Sequence, residues 1–275
     1  MNFIIITTIN QFSRVVSDMA ILTLTSDWGT SDYYTGAVKG RVLAQLPETT
    51  IVDITHEIEP FNSIEAAYII KNSYKNFPDG SVHLIGMNTE ESISRPHTVA
   101  LYDGHYFIGT DDGIFSMIFE QEPDEMIEME IIQETENFTF SGRDRFVKAA
   151  VHLLKGEPME KLGNPKKEMT QKLLFEPVVD KDSIRGVVMH VDSYENLITN
   201  IPKDLFKEAV GNRHFSISLR SVTVNKISTS YDDAPQGEVV ALFASNNVLE
   251  IAINKGKAAS LLGMKWNDSV LIHID

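Results

Sequence analysis

The chain of 275 residues contains no cysteine. Disulfide bonds, thiolate metal sites and cysteine nucleophiles are therefore excluded, although this absence does not settle the cellular compartment. The eight histidines are scattered along the chain without the spacing of metal ligands, so each is expected to be a structural or surface residue. We therefore expect neither a metal site nor a bound cofactor.

Basic residues and long apolar runs are also scarce. The chain has 24 basic against 39 acidic residues and a formal net charge of −15, with no run of Lys and Arg that could bind successive phosphates. We therefore expect no nucleic-acid partner, and the acidic balance mildly favours cationic ligands. No apolar run reaches the about 18 residues that a membrane-spanning helix requires, so no membrane segment is expected.

The first residues do not resemble a secretory signal. The run Met1–Thr8 lacks a basic start, a long apolar core and a small-residue cleavage pattern. A cytoplasmic location is therefore expected. Met19, just before the first predicted strand, is an alternative start, which would make residues 1–18 an upstream extension.

The predicted elements of the first half indicate an α/β domain. They run in the order strand 21–26, helix 34–46, strand 50–55, helix 62–74 and strand 81–87, followed by a hairpin around Asp103-Gly104 and a helix over 143–154. Asn62 is expected to cap the second helix. This order favours a mostly parallel sheet with flanking helices.

The second half has a different pattern, with short predicted strands separated by turns. It predicts a smaller, mainly β domain with a barrel-like or sandwich fold over residues 186–275. The amino-terminal domain is predicted to span residues 20–160. The polar, turn-rich segment 161–185 between them is expected to be a linker or strap.

Familiar catalytic signatures are missing, and polar residues at the predicted strand tips remain as candidates. There is no G-x-G-x-x-G loop after a strand, no Walker A loop and no G-x-S-x-G elbow. Taken singly, strand-tip residues more often cap helices or shape turns. In open α/β sheets, however, ligands bind beyond the carboxyl ends of the strands. The candidates are Asp27, Asp32, Asn88, Thr89, Arg95 and Ser141 in the first domain and Asp192, Asn196, Ser245 and Asn246 in the second.

Several segments resemble the S-adenosyl-L-methionine hydroxide adenosyltransferase family, whose relatives include fluorinating and chlorinating enzymes. The four main segments are Thr25–Thr30 with Gly36–Gly40, Ile51–Pro60, Gly186–Ile201 and Ser245–Ile253. With the shorter matches Phe77–Gly80 and Thr139–Asp144, the similarity extends over nearly all of residues 21–275. Each string is a modest signal, but their order and spacing together are specific.

The resemblance implies a homotrimer that holds S-adenosylmethionine between one subunit's amino-terminal domain and a neighbour's carboxy-terminal domain. It implies that water or hydroxide displaces methionine from the ribose C5′ and leaves adenosine. It also implies a role for each of several residues. Asp27 would bind the ribose hydroxyls, Asp32 and Asp192 the methionine ammonium, and Ser245 the methionine carboxylate. Asn196 would bind the adenine edge and Phe61 would line the ribose and sulfonium pocket, with Trp28, Thr89 and Asn246 as further substrate-binding residues.

The chain departs from the family around the nucleophile. Family members surround the attacking water with an Asp, an Arg and a His, where this chain has Asn88, Arg95 and Ser141. An amide and a hydroxyl can orient a water but cannot take its proton near neutral pH. General-base help is typically worth roughly 10²–10⁴-fold, so the loss is serious but not fatal. Glu90 and Glu91 are alternative bases, although both also fit a surface position.

Three functions therefore stay open, with S-adenosylmethionine hydrolysis as the leading hypothesis. Use of a halide is a second, because the neutral donors Asn88, Thr89 and Ser141 suit a desolvated anion and Arg95 adds positive charge. The third is a non-catalytic protein that binds S-adenosylmethionine or adenosine. The ligand-holding residues keep the family's residue types better than the nucleophile-handling ones, as this third hypothesis predicts.

Overall fold

The computed structural model describes residues 21–133, 136, 138–173, 175–220 and 222–275. The chain divides into two compact units, of which the first ends at Lys172 and the second begins at Leu173. The alternative start at Met19 and the extension 1–18 lie outside the described residues. Within the described part of the chain, no helix is long and apolar enough to cross a membrane.

The described residues of the first unit form a seven-stranded sheet. Its strands are β1 (Ile21–Ser26), β2 (Thr50–Thr55), β3 (Val82–Gly86), β4 (His97–Tyr102), β5 (His105–Thr110), β6 (Glu125–Met129) and β7 (Gly163–Pro165). Their spatial order is β2-β1-β3-β5-β4-β6-β7. The first four strands in this order run parallel, and each of the other three is antiparallel to its neighbours.

Helical segments flank this sheet. They are α1 (Tyr34–Leu43), α2 (Ser63–Ser73), α3 (Ile114–Ile118), α4 (Val147–Leu154), a π-helix at Gly142–Phe146 and short 3-10 turns at Tyr74–Asn76 and Met159–Leu162. The first helix is shorter than predicted. The helix predicted over 143–154 begins as the π-helix and continues as α4. The five-residue α3 was not predicted, because it is too short to show a helical period.

Local sequence signals account for two features of the first unit. Asn62 caps α2, since its side-chain oxygen accepts a hydrogen bond from the Glu65 amide at 3.2 Å. Asp103 and Gly104 have φ angles of 51° and 79°, as a tight two-residue hairpin turn requires. Both predictions are confirmed. Leu22 and Leu24 on one face of the strand β1 and Thr23 and Thr25 on the other are all buried, as expected for a strand covered on both faces.

The second unit is an antiparallel sheet that curls into a nearly closed barrel. Its described strands are β8 (Val178–Asp180), β9 (Ser183–Val191), β10 (Leu197–Pro202), β11 (Phe215–Leu219), β12 (Val222–Val224), β13 (Val239–Phe243), β14 (Val248–Ile253) and β15 (Ser269–Ile274). Seven of them follow the order β12-β11-β15-β9-β10-β14-β13, and β8 pairs with β9. The predicted fold class is confirmed. The segment predicted as a linker, 161–185, contains β7 and β8.

The barrel is completed by α5 (Lys203–Val210), α6 (Ala258–Leu262) and a 3-10 turn at Tyr231–Asp233. Phe206 and Val210 of α5 and Ala258 and Leu262 of α6 face the barrel core. The sequence predicts short helices near 203–209 and 257–262, and each of the two observed helices places its apolar residues on a single face.

Candidate functional site

One edge of the first sheet collects most of the predicted residues. The strands β1, β2, β3 and β5 are parallel, so the residues that follow them lie along the same edge. These residues are Asp27, His56, Asn88 and Asp112. Strand β4 is antiparallel to β5 and begins at this edge, where His97 pairs with Thr110. Arg95, just before β4, therefore belongs to the same edge.

Asp27 at the tip of β1 contacts the loop that carries Phe61. The Phe61 amide donates a 2.9 Å hydrogen bond to Asp27 Oδ2. No described residue donates to Asp27 Oδ1, so this oxygen is available as an acceptor. Phe61 has a φ of 69°, which is unfavourable for a side chain with a Cβ, and the residue is 78% exposed. A strained backbone that presents an exposed aromatic ring is typical of a ligand-binding loop.

Trp28 is packed between elements of the first unit. Its indole stacks on the His56 ring at an interplanar angle of 10° and meets Phe140 edge-on. A Cβ added at Gly142 would lie 2.8 Å from the indole, and one at Gly86 would overlap it. Glycine at these two positions is therefore what admits the ring. The packing fixes Trp28 and with it the start of the loop after β1.

His56 links Trp28 to a chain of polar groups below it. Ser26 Oγ lies 2.6 Å from His56 Nδ1, and Asp53 Oδ1 lies 3.1 Å from His56 Nε2. Burial raises the pKa of the Asp53 carboxyl, but hydrogen bonds from Lys39 and His56 outweigh it and leave the pKa below its usual value. Both Ser26 and His56 are buried, so this chain of contacts acts as a support rather than as an exposed nucleophile.

Asn88 follows β3 and is held by two side chains that sequence reasoning did not single out. Its Nδ2 donates to Asp112 Oδ2 at 2.7 Å and to Ser63 Oγ at 3.0 Å. The Ser63 hydroxyl in turn donates to Asp112 Oδ2 at 3.0 Å. Asn88 has a φ of 45°, a region that Asn tolerates better than most residues. A carboxylate therefore lies directly beside the predicted nucleophile position.

The loop after Asn88 is tied to a buried histidine. His97 Nε2 lies 3.0 Å from the Thr89 carbonyl oxygen, while Nδ1 faces the Arg145 guanidinium at 3.4 Å. Because Arg145 can only donate, His97 Nδ1 accepts and Nε2 carries the proton. Burial lowers the pKa of His97, which keeps the ring neutral. Glu91 pairs with Arg145 and is thereby less suited to act as a base.

The other predicted residues of this unit are less constrained. Arg95 is exposed, and no described side chain pairs with its guanidinium; its backbone forms a tight bridge with Ser92. Ser141 is 6% exposed, and its hydroxyl bonds to no described residue. It precedes Gly142, which packs on Trp28, so it lies near the β1 tip. Asp32 is exposed in the loop before α1.

The second unit contains a cleft of about 1010 Å³. Its lining includes the predicted residues Asp192 and Asn196, and also Tyr194, Tyr231, Asn254, Lys255 and Leu261. Tyr194 is 77% exposed and Leu261 is 68% exposed, so both residues offer apolar surface beside these polar groups. A concave site with apolar walls and few polar groups is typical of small-ligand binding.

Asp192 and Asn196 close the turn between β9 and β10. Asp192 Oδ1 accepts from the amides of Tyr194 and Asn196 at 2.9 and 2.8 Å. Asp192 Oδ2 accepts from Asn196 Nδ2 at 3.1 Å. The carboxylate thus fixes the Asn196 amide, and no described residue donates to Asn196 Oδ1. A buried, oriented acceptor faces the cleft region.

A buried acid lies behind this turn. Tyr231 donates a 2.8 Å hydrogen bond to Glu250 Oε1, and Glu250 is 3% exposed. Burial raises the pKa of the Glu250 carboxyl, and burial together with this hydrogen bond raises the pKa of Tyr231 to about 12. Asn254 Nδ2 donates to the Ala234 carbonyl at 2.8 Å. These contacts make one wall of the cleft rigid.

Ser245 and Asn246 lie in the turn between β13 and β14, away from this cleft. The cleft residues Ile253 and Asn254 come at the other end of β14. At about 3.3 Å per residue, the two ends of this strand are roughly 17 Å apart. The structure therefore brings Asp192 and Asn196 together and leaves Ser245 and Asn246 at the opposite end of the strand.

Comparison with known protein families assigns both units. Residues 22–163 match the SAM hydroxide adenosyltransferase N-terminal domain, and residues 186–271 match the C-terminal domain. The chain belongs to the SAM hydroxide adenosyltransferase family. The resemblance inferred from the sequence segments is thereby confirmed.

Members of the SAM hydroxide adenosyltransferase family and their relatives match along most of their length. An (R)-S-adenosyl-L-methionine hydrolase of Methanocaldococcus jannaschii is 30% identical over 264 residues, covering 92% of this chain and 95% of that protein. A fluorinase of Nocardia brasiliensis is 27% identical over 291 residues, covering 92% and 97%. The crystal structure of an uncharacterized conserved protein from Thermotoga maritima has a TM-score of 0.84 at 30% identity and covers 92% of this chain and 99% of that one.

The contacts that the sequence did not predict join residues that are distant along the chain. Asp112 and Ser63 meet Asn88 across two strand tips, and Tyr231 meets Glu250 across the barrel wall. The parallel order of β3 and β5 is the signal that would have placed Asp112 beside Asn88. Within the described residues, no group of three or more His, Asp or Glu side chains is arranged to hold a metal ion.

Proposed function

We propose that this chain is an S-adenosyl-L-methionine hydrolase, which releases adenosine and methionine. The observation that carries the proposal is the Asn196 amide, oriented by Asp192 beside a cleft large enough for a nucleoside. Membership of the family and a full-length relative named as this hydrolase support the same activity.

Adenine recognition is assigned to the second unit. An adenine amino group donates hydrogen bonds, and Asn196 Oδ1 is an acceptor whose direction is fixed by the bond from Nδ2 to Asp192. The exposed ring of Tyr194 supplies a surface on which a base can stack. Binding then leaves no buried polar atom of this amide without a partner.

Ribose recognition is assigned to the tip of β1. Asp27 Oδ1 can accept from a ribose hydroxyl while Oδ2 keeps its bond from the Phe61 amide. The exposed Phe61 ring would cover the ribose and sulfonium, and a cation beside an aromatic face is favourable. Trp28, held by Gly86 and Gly142, would form the floor of this subsite.

The methionine part is assigned to the remaining predicted residues. Asp32 and Asp192 would pair with the ammonium, since both are carboxylates with accepting capacity left. The predicted contacts of Ser245 with the carboxylate and of Asn246 beside it stay predictions from the resemblance, because both residues lie at the opposite end of β14 from Asp192. Thr89 would line the pocket near the nucleophile, whose direct neighbours would be Asn88, Arg95 and Ser141.

The two groups of contacts lie in different units of the chain. We propose that a complete site forms between the amino-terminal unit of one copy and the carboxy-terminal unit of a neighbour, in a homotrimer. A closed ring in which each copy contributes to two different sites requires a head-to-tail interface, which a trimer provides. A cytoplasmic location and the lack of a cofactor stay predictions from the sequence.

The proposed reaction is an in-line displacement. A water oxygen attacks the ribose C5′, the C5′–S bond breaks, and its electron pair leaves with sulfur as the neutral thioether of methionine. The proton of the water passes to solvent, so the products are adenosine, methionine and one proton. A sulfonium leaves readily, so alignment and exclusion of bulk water are the main requirements.

Product analysis tests this function. The purified chain is incubated with S-adenosylmethionine, with and without chloride, and the products are separated by chromatography. Equal amounts of adenosine and methionine support hydrolysis. A 5′-halo-nucleoside would instead make halide the nucleophile, and tight binding without any product would identify a non-catalytic binding protein.

A further inference from the structure

The Asp112 carboxylate contacts Asn88, which occupies the position where the family pattern has an Asp. Asn88 follows β3 and Asp112 follows β5, and these strands are parallel neighbours. The two side chains meet in a hydrogen bond of 2.7 Å between Asn88 Nδ2 and Asp112 Oδ2. The buried Ser63 hydroxyl joins both residues and closes the triangle.

The chemistry of the contact fixes the direction of the Asn88 amide. A carboxylate can only accept, so the amide must turn its NH2 group toward Asp112. No described residue donates to Asn88 Oδ1, which leaves that oxygen as an acceptor for a ligand. Asp112 Oδ1 is separately engaged, since it accepts from the Ile114 amide at 3.2 Å at the start of α3. The carboxylate is therefore anchored on one oxygen and orients Asn88 with the other.

We infer that Asp112 is a positioning residue for the nucleophile, acting through Asn88. This inference rests on the proposed hydrolase function. By holding the amide, Asp112 presents Asn88 Oδ1 where the family has a carboxylate oxygen, so the attacking water still finds an acceptor that aims its lone pair. Its negative charge also polarises the amide and makes Oδ1 a stronger acceptor. The chain thus keeps one carboxylate near the attacking water, but it belongs to Asp112 and acts through Asn88 instead of contacting the water itself.

Substitutions at the two positions have opposite expected effects. In Asp112→Asn, Oδ1 can still cap α3, but the new NH2 group faces the NH2 group of Asn88. The Asn88 amide then flips and presents a donor to the water instead of an acceptor. In the double variant N88D/D112N the NH2 group at position 112 donates to the new carboxylate at position 88. The remaining carboxylate oxygen again offers an acceptor, so the arrangement is restored with the partners exchanged.

Steady-state kinetics with S-adenosylmethionine test the inference on four proteins: wild type, D112N, N88D/D112N and the control D124N. We expect kcat to fall about 10- to 100-fold in D112N while KM changes less than about threefold, because alignment is lost and substrate contacts are kept. N88D/D112N should recover to within about threefold of wild type or exceed it. Asp124 is exposed and lies just before β6, at the end of the sheet opposite to the one where Asn88 lies. D124N should therefore behave as wild type.

The outcomes separate this inference from the proposed function. A wild type that binds S-adenosylmethionine but releases no adenosine contradicts the hydrolase function and the inference with it. An active wild type together with an unaffected D112N contradicts only the inference. If D112N and the double variant are equally slow while both melt at the wild-type temperature, the positioning role is also wrong. A rate difference between D112N and the double variant cannot come from loss of the α3 cap, because the capping oxygen is the same in both variants.

Discussion

Ser26 Oγ lies 2.6 Å from Nδ1 of His56, and the His56 ring stacks nearly parallel on the Trp28 indole. The hydroxyl at the end of β1 is thus bonded to the residue that supports the start of the next loop. Asp53 Oδ1 lies 3.1 Å from the other ring nitrogen, close enough for an ion pair. The position of Asp27, between Ser26 and Trp28 in the chain, depends on this arrangement.

Ser26→Ala should destabilise the first unit. The substitution leaves His56 Nδ1 buried without its partner, which costs about 1–3 kcal/mol in the free energy of unfolding. Urea unfolding followed by tryptophan fluorescence measures this difference. Ser31→Ala is the matched control, since Ser31 is exposed and its loss should change stability by less than about 0.5 kcal/mol. Equal stability of the two variants would show that the contact contributes nothing.

Asn196→Ala should abolish discrimination between bases. Asn196 Oδ1 accepts from the adenine amino group, whereas inosine carries a carbonyl oxygen there and would bring two acceptors together. Calorimetry should therefore give adenosine a preference over inosine of about 10- to 100-fold in the wild type and little preference in N196A. Asn225→Ala, at an exposed position of the same unit, should keep the wild-type preference. A preference that survives in N196A would place base recognition elsewhere.

Mixing two inactive variants should restore activity if the site is shared between copies. Asp27→Asn damages the amino-terminal half of each site and N196A the carboxy-terminal half. After subunit exchange in equal proportions, about one quarter of the sites in a head-to-tail ring contain two intact halves. The measurement is adenosine release by the mixture against each variant alone. A mixture as inactive as its components would mean that each site is built within one copy.

Stability should fall with acid because His83 is buried. Burial, with a smaller effect of His105, lowers the pKa of His83 to about 3 from its usual 6.5. The unfolded chain takes up this proton below pH 6.5 and the folded chain does not, so the stabilisation is complete above pH 6.5 and is lost as pH falls toward 3. The slope is at most about 1.4 kcal/mol per pH unit for this residue. Urea unfolding between neutral pH and about pH 4 should show a shallower slope for His83→Phe; an identical slope would refute the assignment.

A general base should accelerate hydrolysis when the acceptor geometry is kept. Asn88→Asp alone would bring two carboxylates into contact, which then share a proton. The N88D/D112N pair avoids this repulsion, and adding Ser141→His supplies the imidazole of the family pattern. We expect the triple variant to hydrolyse S-adenosylmethionine about 10- to 100-fold faster than N88D/D112N, with N88D/D112N/S141A as control. A triple variant no faster than this control would show that the missing base does not limit the rate.

Sequence reasoning succeeded where the signal is local. The cap at Asn62 and the hairpin at Asp103-Gly104 each depend on a few adjacent residues, and both were predicted. The convergence of Asp27 and Asn88 on one edge follows from parallel strands that end together. Family membership extended this reasoning to residues whose own neighbourhoods carry no distinctive pattern.

It failed where contacts depend on strand order. Asp111-Asp112-Gly113 reads as a turn, and the partner of Asp112 is 24 residues away on the neighbouring strand. The pairing of Tyr231 with Glu250 has the same cause. Apolar spacing also cannot separate a π-helix from an α-helix over five residues, so residues 143–146 were predicted as the start of an ordinary helix.

The π-helical turn that begins at Gly142 contains one more residue than an α-helical turn, and this determines the direction in which Ser141 points relative to α4. Deleting one residue there would return the backbone to the ordinary repeat and swing Ser141 by about 100° around the axis of α4. The indole would lose the flat surface at Gly142, and the hydroxyl at position 141 would turn away from the β1 tip. Point substitutions in this segment can therefore change single contacts, whereas an insertion or deletion would separate Ser141 and Gly142 from the β1 tip.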